Sequence, residues 1–86
     1  MKINEIIITN KQGGGYEIQA KNLQAYKELQ KAITNANVPT GEKNLEKKTV
    51  VIDAYEHELR SVLEALHINK NDADKAIDHI PKGYAP

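Results

Sequence analysis

The sequence contains no cysteine, no phenylalanine and no tryptophan, and each absence removes a class of function. Without cysteine the chain has no disulfide bond, no thiolate zinc site and no cysteine nucleophile. Beyond four tyrosines there is no ring on which nucleic-acid bases would stack. No aliphatic run is longer than the three residues of Ile6–Ile8, which excludes a membrane-spanning segment.

Arginine and serine each occur once, and histidine is scarce. Because arginine is the usual residue for bidentate recognition of phosphates and bases, a lone Arg60 disfavours sequence-specific reading of nucleic acid. Ser61 falls inside an amphipathic helical pattern, where packing is favoured over nucleophilic chemistry. His57, His67 and His79 lack the spacing of helical zinc motifs. We therefore expect a protein that is not an enzyme and that has no metal or cofactor.

Length and charge are typical of a small domain without a polyanionic partner. At 86 residues the chain has room for one hydrophobic core, so a single domain over residues 1–86 is expected. Its 12 basic and 12 acidic residues cancel. The first twenty residues carry no secretory signal, which makes the cytoplasm the expected location. The richness in lysine, asparagine and isoleucine is typical of AT-rich genomes, such as those of low-GC bacteria and their phages.

The hydrophobic pattern predicts the element order ββαβαα. Residues 3–9 and 16–20 have β-branched or alternating character, which predicts two strands joined as a hairpin. Helical spacing predicts a helix over residues 23–36, and the run at 49–52 is typical of a short buried strand. Two shorter helices are expected to follow, separated near Asn69.

The arrangement of these elements predicts an α+β fold. Because apolar side chains occur on both faces of the first strand, that strand is expected to be central in a three-stranded mixed sheet. The predicted strand order is 2-1-3, with the helices packed on one face. Pro39 and Gly41 indicate a mobile polar loop over residues 37–48, and residues 81–86 are expected to form a frayed tail.

The segment TNKQGGGYEI contains three consecutive glycines between the first two strands. A phosphate-binding loop would require a helix after the glycines, and here a strand follows. One or two glycines satisfy a turn, so the third favours a loop that contacts a partner. The partner-binding residues predicted on this loop are Lys11, Gly13, Gly14, Gly15 and Tyr16.

Charged residues supply two further candidate surfaces. Asp72, Asp74 and Asp78 form an acidic set near the C-terminal helix, and we expect them to bind a partner, for example at a nucleic-acid site on a host enzyme. An alternative function is a nucleic-acid-associated regulator with a lysine face. The residues of that face would be Lys27, Lys31, Lys43, Lys47 and Lys48.

Residues 59–80, LRSVLEALHINKNDADKAIDHI, resemble the last two helices of ubiquitin-associated domains. Both have a leucine-rich helix, a turn with asparagine, and a helix in which alanine precedes an aliphatic pair. The resemblance implies a helical hairpin in this part of the chain. It does not include the first helix or the Met-Gly-Phe/Tyr loop with which such domains contact ubiquitin.

Together these patterns favour a small non-catalytic binding protein. The setting that we expect is a phage or mobile-element accessory protein that binds a host protein and inhibits or modulates it. A third alternative is a homodimer that pairs through the second strand and binds a small ligand at its interface. No membrane partner is expected.

Overall fold

The computed structural model describes residues 1–11 and 14–80. Over these residues the chain forms an α+β fold in which a four-stranded antiparallel sheet carries helices on one face. The strands are β1 (Ile6–Asn10), β2 (Tyr16–Ala20), β3 (Thr40–Asn44) and β4 (Thr49–Ile52). The helices are α1 (Leu23–Asn35), α2 (Glu56–Ala65) and α3 (Lys70–Asp78), and a 3-10 turn, Ile3–Glu5, precedes β1.

The prediction of a three-stranded mixed sheet is wrong, because the segment predicted as a loop over residues 37–48 contains β3. The polar sequence of β3 has no apolar alternation, since the strand lies at a sheet edge and most of its side chains are exposed. The turn to β4 is built by Asn44, whose Oδ1 accepts the N–H of Lys47 at 3.0 Å, and by Lys48 with φ 57°.

The predicted strand order 2-1-3 is also wrong, because β1 lies at an edge and the order is β1-β2-β4-β3. Isoleucines on both faces suggested a central strand, yet Ile3 belongs to the 3-10 turn and the side chain of Ile7 is 53% exposed. The crossover through α1 places β3 parallel to β2, but β4 lies between them, so every adjacent pair is antiparallel.

The core lies between one face of the sheet and the helices. Alternate side chains of the two central strands point into it, and Ile18, Val50 and Ile52 are fully buried. Tyr26 of α1 is buried with them and donates its hydroxyl to the carbonyl of Thr49 at 3.0 Å. That hydrogen bond satisfies the one polar group that the ring brings into the core.

Helices α1 and α2 end in the same way. A residue in the left-handed conformation follows each helix, Asn37 after α1 (φ 61°) and His67 after α2 (φ 61°). The next residue of each, Val38 or Ile68, donates its N–H to a carbonyl five residues back and is buried. This is the Schellman arrangement, which satisfies helix-end carbonyls and turns the chain back onto the core.

Helices α2 and α3 pack as the helical hairpin that the resemblance implied. Each begins at a side-chain cap, since Glu58 accepts the N–H of Tyr55 at 2.9 Å and Asn69 accepts that of Asp72 at 2.8 Å. Among the described helices, none has the length and apolarity needed to cross a membrane. The predicted frayed tail, residues 81–86, lies outside the described residues.

Candidate binding surface

Hydrogen bonds join the described residues of the glycine loop between β1 and β2. The N–H of Lys11 donates to the carbonyl of Gly15, and the carbonyl of Lys11 accepts the N–H of Gly14, both at 3.1 Å. Gly14 and Gly15 have positive φ values of 110° and 83°. A Cβ on Gly15 would lie 2.3 Å from the carbonyl oxygen of Ile52, whereas Gly14 borders open space. Gly15 is therefore required by the fold; Gly13 lies outside the described residues.

The two other residues predicted on this loop have local partners. Lys11 lies 3.8 Å from the carboxylate of Glu17 at the surface. Tyr16 packs against the core at the start of β2, where burial and then the nearby charge of Glu56 raise the pKa of its phenol. Tyr16 also lies beside Ile77 at the end of α3. Its position indicates packing at the junction of hairpin and helix.

The predicted acidic set is divided among separate contacts. Asp72 belongs to the Asn69 cap of α3, and Asp74 forms an ion pair with Arg60 of α2. The hydrogen bond from Arg60 to Asp74 is the main reason that the pKa of the guanidinium is raised, and the charge of Asp78 adds to it. Asp72 and Asp74 therefore stabilise the α2–α3 hairpin, and Asp78 is the member of the set that stays exposed.

The face of the sheet opposite the helices is uncovered. Its side chains are the alternate residues of each strand, of which Ile7 and Gln19 are exposed and Val51 is half-buried. The exposed side chain of an isoleucine on this face offers apolar surface, and a binding partner that removes this surface from water gains free energy. This face will be called the open face.

A shallow cleft of about 300 Å³ lies where β2 ends beside the β3–β4 turn. It will be called the lysine cleft, and its lining residues are Ile7, Gln19, Ala20, Lys21, Glu46, Lys47 and Lys48. Two bonds hold the turn against β2: the N–H of Ala20 donates to the carbonyl of Lys48 at 2.8 Å, and the side-chain amide of Gln19 to that of Lys47 at 3.4 Å.

The lysine cleft carries positive charge that the described part of the chain leaves unpaired. Lys21, Lys47 and Lys48 form no ion pair with any residue of 1–11 or 14–80. Three ammonium groups around one cleft repel each other, and Glu46 offsets one of them. The arrangement can therefore bind an anionic group next to the apolar side chain of Ile7.

Two of the five lysines predicted as a nucleic-acid face, Lys47 and Lys48, line this cleft. The other three, Lys27, Lys31 and Lys43, are exposed but do not contribute to the lining. Sequence reasoning missed Lys21 and Ile7. Lys21 directly follows β2, but its proximity to Lys47 depends on the β3–β4 hairpin, which was not predicted.

Over the described ranges, no three carboxylate or imidazole side chains are placed to hold a metal ion. The hydroxyl of Ser61 donates to the backbone carbonyl of His57 at 3.2 Å, a bond inside α2 rather than a contact with a base. Comparison of the chain with protein families, curated proteins and solved structures finds no match.

Proposed function

We propose that this chain is a non-catalytic binding protein whose lysine cleft binds an acidic segment of another protein. The observation that carries the proposal is the convergence, beside the exposed side chain of Ile7, of three lysines that form no ion pair with the described residues. A carboxylate placed among the ammonium groups relieves their mutual repulsion. An aliphatic neighbour of that carboxylate would then cover Ile7 and remove apolar surface from water.

The composition of the open face favours a protein partner over nucleic acid. Glu17 and Glu46 lie on or beside this face, and the closely spaced phosphates of a nucleic-acid backbone would meet them, whereas one carboxylate fits among the lysines alone. Of the described tyrosines, none lies on the open face: Tyr16 and Tyr26 pack on the helix side, and Tyr55 precedes α2. The face thus has neither a stacking platform nor an uninterrupted positive charge.

The expected affinity is modest and depends on salt. Contacts between exposed ammonium and carboxylate groups contribute about 0.2–1 kcal/mol each. A few such contacts with one aliphatic contact correspond to binding in the millimolar to high micromolar range, weakened as salt screens the charges. The lysine-, asparagine- and isoleucine-rich composition supports a partner in a bacterial host, inhibited or modulated by this binding, as the wider setting of the proposal.

A titration with synthetic peptides, followed by nuclear magnetic resonance, tests the proposal. The probe is an alternating Glu-Ile peptide, and its neutral counterpart is a Gln-Ile peptide of the same length. We expect the Glu-Ile peptide to shift the amide signals of Ile7, Gln19 and Lys21 at low salt and to lose this effect at high salt. Equal shifts with both peptides, or none with either, would refute an acidic partner.

Two matched double variants locate the binding. Lys21→Gln with Lys47→Gln removes two charges from the cleft and is expected to weaken peptide binding about tenfold. Lys27→Gln with Lys31→Gln removes the same charge from α1 and should leave binding unchanged. If instead a single-stranded oligonucleotide binds more tightly than the peptide, and the α1 variant weakens it, the nucleic-acid regulator replaces the present proposal.

A further inference from the structure

The outer edge of β1 is the second surface that points to a partner. Two hydrogen bonds bracket the β1–β2 ladder, from Lys21 N–H to the carbonyl of Glu5 and from Lys11 N–H to that of Gly15. In an antiparallel ladder the hydrogen-bonded pairs recur at every second residue. The backbone N–H and C=O groups of Ile7 and Thr9 therefore also point toward β2. The N–H and C=O of Ile8 therefore point away from the sheet.

The described residues give this edge none of the devices that usually prevent edge-to-edge pairing. Proteins protect edge strands with charges, proline or bulges. Over Ile6–Asn10 the sequence IIITN contains no charge and no proline, and its register with β2 is regular. In the described part of the chain, no strand pairs with β1 on its outer side. The edge is therefore suited to accept another strand.

The residues around Ile8 are complementary to a second copy of the same strand. In an antiparallel pair centred on Ile8, the backbone of Ile8 bonds its own counterpart, and Ile7 of one copy lies opposite Thr9 of the other. The same register places Glu5 opposite Lys11 of the second copy, once on each side of the two-fold axis. Glu5 forms no ion pair with the described residues, and Lys11 has only its surface contact with Glu17.

We propose that two copies of this chain form a symmetric dimer through antiparallel pairing of their β1 strands. The two sheets then join into one continuous eight-stranded sheet, and the side chain of Ile7 stays on the open face, beside Thr9 of the second copy. Glu5 and Lys11 of opposite copies fix the register and the orientation. Each copy keeps its own lysine cleft on the open face, and Ile7 lies at the border between that cleft and the dimer interface.

Sedimentation equilibrium of the full chain, over a range from low micromolar to near-millimolar concentration, tests the dimer. We expect the average mass to rise from that of one chain to that of two. Glu5→Lys and Lys11→Glu each replace two attractions by two repulsions and should weaken dimerisation about tenfold. An equimolar mixture of the two variants should dimerise again, because the lysine introduced in one chain would then face the glutamate introduced in the other.

Charge reversals at the other edge provide the matched control. Glu42→Lys and Lys43→Glu on β3 make the same charge changes and should leave the dimer constant unaltered. The mixing experiment separates a lost interface from a lost fold, because mixing does not restore a variant that fails to fold. A wild-type chain that stays monomeric at the highest concentration would overturn the dimer, as would variants that do not recover on mixing. Either result leaves the peptide titration as a separate test of the lysine cleft, because Lys21, Lys47 and Lys48 lie outside β1.

Discussion

The two edges of the sheet differ in almost every property that governs strand pairing. Edge β1 is aliphatic and regular, and its residue Ile6 is buried in the core. Edge β3 follows Pro39, carries a bulge between Thr40 and Lys43, and has no buried side chain. The charges and the bulge protect β3 from pairing, and β1 has no such protection.

We infer from this difference that the two edges have separate tasks. Strand β1 belongs to the hydrophobic core, and no strand among the described residues pairs with its outer side. Strand β3 contributes little to the core, but its hairpin with β4 brings Lys47 and Lys48 to the end of β2. In the two proposals, self-association therefore belongs to one edge, and the binding of an acidic partner to the hairpin at the other.

Alanine replacements of glycines compare the two hairpins and should give the largest effect. Gly15→Ala combines a positive φ with a clash against the backbone of Ile52, so we expect a loss of about 3–5 kcal/mol in the free energy of unfolding. Gly41→Ala in β3 makes ordinary contacts with Val51 and should change stability by less than about 0.5 kcal/mol. Urea denaturation measures both, and equal losses would contradict the assignment of tasks.

Truncation of one side chain in each edge strand should give an intermediate effect. Ile6→Ala leaves a cavity beneath β1 and should lower the free energy of unfolding by about 2–4 kcal/mol. Thr40→Ala removes an exposed side chain from β3 and should cost less than about 0.5 kcal/mol. Thermal unfolding monitored by circular dichroism distinguishes them. A larger loss from Thr40→Ala would mean that β3, and not β1, holds the core together.

The smallest effect concerns the pH dependence of the β1–β2 hairpin. Burial and the charge of Glu56 raise the pKa of Tyr16 above its ordinary value, so the folded state holds the proton more tightly than the unfolded chain. This contribution to stability is complete below the unfolded pKa of about 10 and is lost as the pH rises through the folded pKa.

The variant Tyr16→Phe isolates this contribution, because it removes the phenol hydroxyl and leaves every other ionisable group in place. We expect the stability difference between wild type and variant to be constant below about pH 9 and to shift against the wild type above about pH 10. Urea titrations across this range measure it. A difference that does not change with pH would show that the phenol is not perturbed by its position at the hairpin.

The sequence predicts an element of the fold wherever the element has a clear pattern of apolar residues. The alternation in β2 and the apolar stripe of α1 predict those elements, because each buries one face. Strand β3 could not be predicted in this way, since an edge strand exposed on both faces needs no apolar side chain. Without β3, the crossover rule predicts that β4 runs parallel to β2, which gives a mixed sheet, whereas the order 2-1-3 rests on the apolar residues on both faces of β1.

The candidate site was less predictable, because it joins residues from separate elements. Lys47 and Lys48 were recognised by charge alone, whereas Lys21 and Ile7 become part of the cleft only when the hairpin folds beside β2. The acidic set is divided among separate contacts for the opposite reason. Its members are close in sequence, but Asp74 faces Arg60 and the others lie at different ends of α3.

The left-handed residues that follow α1 and α2 are positions where substitution by glycine would raise the stability of the protein. Asn37 and His67 occupy a backbone conformation that costs most side chains about 1–2 kcal/mol and costs glycine almost nothing. Both residues are exposed and lie outside β1 and the lysine cleft. A chain with glycine at both positions would unfold at a higher temperature while its two contact surfaces stay intact. In that more stable chain, destabilising variants of β1 would still fold.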